Sequence, residues 1–168
     1  MRTLHATAMM LAMSIAPALT DLPAADPVRA QHYVGVVPGS DALPENLAAA
    51  PGGVALVTWP GFQMLPDGGS RVFVQTSTEV TPELKREGNG DNWQVVLAGV
   101  SLPPGNARRP LDTHFFNTPV KSVKTHAKGA VVSLVLEMRA KLKPNMRTER
   151  AANGYFFTYL DFPPGNFL

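Results

Sequence analysis

The sequence has no cysteine. No disulfide can staple the fold, no thiol can act as nucleophile or metal ligand, and no lipobox cysteine can take a lipid anchor. Histidine is scarce, at His5, His32, His114 and His126. None stands in an H-x-x-E-H or H-E-x-x-H pattern, so zinc sites of that spacing are excluded. A G-x-S-x-G elbow, a P-loop and a G-x-G-x-x-G turn are missing as well. Asp112-Thr113-His114 sets an acid beside a loop histidine, which reads as ordinary surface. A glycosidase pair is defined by a distance in space, and nothing selects one pair among the thirteen carboxylates. The expectation is a protein that is not an enzyme, with no catalytic residue, no metal and no cofactor.

A membrane-length apolar run is also lacking. Ala6–Ala16 (ATAMMLAMSIA) is apolar, but a span needs about 20 such residues. It follows Arg2, and Ala16-Pro17-Ala18 has the small-x-small form of a signal-peptidase site. Residues 1–18 therefore read as a secretory signal peptide, and the mature chain as soluble and periplasmic. An exported chain without disulfides must rely on a real hydrophobic core.

Long periodic runs are absent from residues 19–53, which are rich in Ala and Pro. This stretch reads as a flexible, disordered spacer with a possible short strand at His32–Val37. The folded part is expected over 54–168.

What is present is period-two hydrophobicity. In Ala130–Lys141 (AVVSLVLEMRAK), Val132, Leu134, Leu136 and Met138 share one side. Ser133, Glu137, Arg139 and Lys141 share the other, with Val131 and Val135 as apolar exceptions. That pattern predicts a long strand with one face buried. Val54–Trp59 predicts a strand stopped by Pro60-Gly61, and Pro66-Asp67-Gly68-Gly69 a turn. Arg71–Thr78 is the next strand, and Glu79–Arg86 continues toward Gly88-Asn89-Gly90-Asp91. Asn-Gly there signals a hairpin into Trp93–Leu97. Gly99–Thr118 is irregular, Val120–His126 a modest strand and Met146–Arg150 a polar edge strand. Asn153-Gly154 turns the chain into Tyr155–Phe162 (YFFTYLDF). Trp59 and Trp93 read as core.

Pro-Pro-Gly-Asn occurs twice, at 103–106 and 163–166, each time after an Asn-Gly turn and an aromatic-led strand. The recurrence predicts two similar layers. The fold class is all-β, a small antiparallel β-sandwich of two similar sheets with pseudo-twofold symmetry.

The region from about Val54 to Pro164 resembles the AMIN domain of cell-wall amidases and type IV pilus secretins. The carrying segments are RVFVQTS, WQVVLAGV, VKSVKTHAKGAVVSLVLEMR and YFFTYLDF. The resemblance implies a small β-sandwich that binds peptidoglycan and places its host at septa or wall-spanning machines. The chain ends at Leu168 with no amidase or secretin region after the last strand, so the expectation is a targeting module standing alone. The alternative is a periplasmic accessory of a secretin or cell-division complex that does not touch the wall.

Charge is uneven. Nine acidic residues lie between Leu19 and Asp91, and ten Lys or Arg between Arg108 and Arg150. Nucleic acid is an unsuitable partner for an exported chain, and an anionic wall polymer or acidic protein face suits the basic half better. The ligand-binding candidates are Arg108, Arg109, Lys121, Lys124, Arg139 and Lys141, whose cations can pair with stem-peptide carboxylates. Tyr155 and Tyr159 complete the set. Their rings either stack on sugars or close a second apolar layer.

Overall fold

The computed structural model describes residues 54–168 except Asn89. The signal segment, the spacer and the possible strand at His32–Val37 lie outside the described residues, as does the Asn89 half of the first Asn-Gly turn. Ten strands and one 3-10 turn are formed among the described residues. They are β1 (Ala55–Met64), β2 (Ser70–Thr76), β3 (Pro82–Arg86), β4 (Trp93–Ala98), β5 (Val100–Ser101), β6 (Leu111–Asp112), β7 (Val120–Lys128), β8 (Val131–Met138), β9 (Asn145–Arg150) and β10 (Phe156–Phe162), with the 3-10 turn at Asn106–Arg108.

Two five-stranded sheets result. The first has the order β5-β1-β2-β10-β9 and the second β3-β4-β8-β7-β6. All pairings are antiparallel except the short β1–β5 contact. The all-β sandwich expected from the pattern is the fold observed, and both sheets have the same number of strands. The layers are not the two halves of the sequence, however. β2 joins β1 and β10 in one sheet, while β3 crosses over and pairs with β4 in the other. The hairpin before Trp93 is thus β3–β4, not a return of β2.

The core lies between the sheets. Val72 and Val74 of β2, Val95 and Leu97 of β4, Val132, Leu134 and Leu136 of β8, and Leu160 and Phe162 of β10 meet there, each at most 2% exposed. Burial of each such chain stabilises the fold by about 1.5–3 kcal/mol. Trp93 joins this core, and its indole N–H donates to the Leu142 carbonyl at 2.8 Å.

Two bulges decide which side chains face out. Val57 pairs with Thr76 but Trp59 with Gln75, so Thr58 is an extra residue. The insertion reverses the alternation along β1. Phe62 goes into the core, and Trp59 swings to the outer face against Phe73. The expectation that Trp59 lies in the core is corrected here. Nor does Pro60-Gly61 end the strand: β1 runs through both residues, at a sheet position where only Ala55 and Leu56 pair on the far side. An edge position tolerates a proline. The second bulge, between Val120 and Ser122 on β7, lets Val120 and Val123 both point inward.

The segment after β10 is tied across to the second sheet. The Asn117 side chain donates to the Gly165 carbonyl at 2.8 Å and accepts from the Phe167 N–H at 2.7 Å.

Candidate functional site

Among the described residues no group of three or more His, Asp or Glu could hold a metal ion. The Asp112–His114 pair forms, with Nδ1 at 2.5 Å from Oδ1, and both side chains are exposed. The side-chain and backbone hydrogen bonds of His114 hold the Asp112 carboxyl below the usual carboxylate range. Among the described residues no serine or second acid is hydrogen-bonded to this pair, so it has the geometry of a turn, not of a triad.

The six cationic candidates do not converge. Lys121 and Lys124 project from β7 on the outer face of the second sheet, with His126 and Lys128 exposed further along the strand. Lys121 Nζ is 2.8 Å from Glu137 Oε1, and Ser122 Oγ donates to the other carboxylate oxygen. These two partners depress the Glu137 carboxyl below its ordinary range. Lys124 has no ion pair among the described residues. It lines a shallow depression of about 250 Å³ with Arg108, Pro110, Thr125 and His126. Arg108 is held there by donating to the Leu102 carbonyl at 3.1 Å. Arg109 is exposed beside it. Arg108, Lys124 and His126 are therefore one basic cluster, with Lys121 and Lys128 on the same strand.

Arg139 and Lys141 belong elsewhere. Arg139 serves the structure, donating to the Phe167 and Thr113 carbonyls at 3.3 and 3.4 Å. Lys141 reaches Asp91 at 3.7 Å. Tyr155 sits in the β9–β10 turn, where its carbonyl accepts from the Ala151 N–H at 2.8 Å.

Tyr159 lies on the outer face of the first sheet, within a layer that periodicity did not bring out. Phe73 and Phe157 are buried there outside the main core. Phe73 meets Trp59, Phe157 and Tyr159 edge-on, and Phe157 lies parallel to Tyr159. Two guanidiniums cover the Tyr159 ring, Arg71 at 4.4 Å and Arg147 at 4.3 Å from its centroid. Asp161 fixes both: it accepts from Arg71 at 2.5 and 2.9 Å and from Arg147 at 3.4 Å, while Arg147 also pairs with Glu149. Burial raises the phenol of Tyr159, and the Asp161 bond raises the Arg71 guanidinium. Of the two sequence readings for Tyr159, this geometry is that of a second apolar layer, closed by charge. The Phe73/Phe157/Tyr159 register across β2 and β10 was the signal for it, and it needed the strand pairing to be seen.

In comparison with known families, the family model described as the AMIN domain aligns with residues 62–154. No curated protein sequence matches the chain.

Proposed function

The chain belongs to the AMIN domain family, a non-catalytic class of peptidoglycan-binding and localisation modules found in amidases and secretins, and on that footing we propose that it is an exported wall-binding module. In this reading residues 1–18 direct export, 19–53 are a spacer, and 54–168 bind peptidoglycan in the periplasm. The module localises a protein or complex to the cell wall or septum. Family membership is the observation that carries the proposal. The Arg108–Lys124–His126 cluster supports it with chemistry. The exposed cations Arg108 and Lys124 can pair with the carboxylates of wall peptides, and the attraction falls as salt rises.

The test is co-sedimentation with purified sacculi. Retention is expected at low salt and is expected to fall in high salt. Lys124→Ala should lower retention severalfold, and Lys121→Ala less, because Glu137 already neutralises Lys121. Protein wholly in the supernatant at low salt would remove the reading.

A second reading, an accessory of a pilus, secretin or division complex, has one observation in its favour. The Phe115 ring is 76% exposed in the β6–β7 loop, an apolar group open to a protein partner. It predicts co-purification with an envelope protein and no retention on sacculi.

A further inference from the structure

At one end of the first sheet, the β1–β2 turn, the approach to β9 and the exit of β10 surround an open depression of about 430 Å³. Small-molecule sites are typically about 300–1,000 Å³. The charged lining is Asp67, Arg71, Lys143 and Asp161, with Leu65, Asn145, Phe162 and Pro163 completing it. Arg71 and Asp161 satisfy each other. Lys143 and Asp67 do not: neither has an ion pair among the described residues. Two opposite charges that line one hollow yet stand more than 4.0 Å apart leave a charged gap.

The carboxylate at one end of that gap is held in place, and so is the backbone that carries the cation at the other. Asp67 accepts from the Gly69 N–H through Oδ1 at 2.9 Å, which orients the carboxylate and leaves Oδ2 available. The turn behind it is closed by Leu65 N–H to Gly69 carbonyl and Gly68 N–H to Leu65 carbonyl, at 2.8 and 3.0 Å. Lys143 is followed by the buried Pro144, which anchors its backbone. The Asn145 side-chain amide has no hydrogen bond among the described residues and faces the same hollow.

We infer that this depression binds a group bearing an ammonium and a carboxylate on one carbon, the zwitterionic head of an α-amino acid. Lys143 takes the carboxylate, Asp67 the ammonium, and Asn145 either oxygen or N–H. In a wall polymer that head is the uncrosslinked end of a diamino acid in a stem peptide. The assignment to the wall rests on the function proposed above; the site itself does not. A blocked amine or amide lacks one charge, so it would leave Asp67 or Lys143 without its partner.

The test is two-dimensional NMR of the full chain, titrated with 2,6-diaminopimelate, glycine, a stem-peptide fragment and an Nα-acetylated control. Saturable shifts are expected at the amides of Gly68, Asn145 and Phe162 with the zwitterions and not with the acetylated control. Lys143→Ala and Asp67→Asn should each weaken binding at least tenfold with an unchanged melting temperature; the amide introduced by Asp67→Asn keeps the oxygen that the Gly69 N–H needs. Absence of saturable shifts, or equal binding of the blocked control, overturns the site. A fragment that binds more tightly than glycine places the ligand in the wall, and the reverse order places it among free amino acids; both uphold the site. Zwitterion binding without sacculus retention removes the wall reading and leaves this site standing. Retention without zwitterion binding does the opposite.

Discussion

Leu136→Asp is expected to abolish the cooperative melting transition. Leu136 is wholly buried on β8, the middle strand of its sheet, opposite Trp93 on β4 and Val123 on β7. The substitution forfeits about 1.5–3 kcal/mol of apolar burial. It also places a carboxylate among aliphatic side chains, at a cost of several kcal/mol for an unpaired ion. A domain of this size has about 5–15 kcal/mol to lose. Leu136→Met keeps volume and polarity and should cost less than about 1.5 kcal/mol. Circular dichroism melts of the pair decide the matter: a normal transition in the Asp variant would refute the placement of β8.

Gly61→Ala is expected to be the most damaging small substitution on the outer face. A Cβ at this position would lie 2.2 Å from Phe73 Cζ and under 3 Å from both neighbouring ring carbons. The ring cannot yield easily, because Trp59, Phe157 and Tyr159 hem it in. Overpacking of this kind costs about 1–3 kcal/mol, and Gly61→Val should cost more. The contact makes a second claim. Phe73→Leu shortens the group that clashes, so Gly61→Ala should be far less harmful in that background, with a coupling of about 0.5–3 kcal/mol. Urea unfolding of the two single variants and the double measures it, and strictly additive losses would show that the two residues do not compete for one space.

The fold class was open to reading because β8, the middle strand of its sheet, buries one face and keeps period two. Val132, Leu134 and Leu136 follow it without a break. Reading failed where geometry broke the period. Thr58 adds a residue to β1 and turns Trp59 outward, and Pro60-Gly61, a stop by its composition, is carried through at an open edge. Gly61 is instead the gap that Phe73 fills. One Pro-Pro-Gly-Asn follows β5 and runs into the 3-10 turn, the other follows β10; strand pairing is long-range, so a repeat in sequence could not say which strands become neighbours. The cationic candidates suffered likewise. Lys124 and Arg108 share a depression, while Arg139 points to the C-terminal segment and Lys141 to Asp91. Sequence spacing cannot distinguish a cation in a cluster from one holding a carbonyl. Lys143 and Asp67, which three chain segments bring to one hollow, left no trace in the pattern at all.

β10 lies inside its sheet, between β2 and β9. Ser70 of β2 stands opposite Phe162 and Thr76 opposite Phe156, and the Arg71–Asp161 pair that joins the two strands spans 90 residues of sequence. A chain that emerges from a ribosome amino end first therefore displays β1 and β2 long before the strand that completes them exists. In that interval β2 offers unpaired N–H and C=O groups along a segment holding Val72, Phe73 and Val74, a template for pairing with any neighbouring nascent chain. Closing so long a loop is slow as well as late. A circular permutant that places Phe156–Phe162 directly after β2 would shorten the wait, and the yield of soluble protein is where the difference would register.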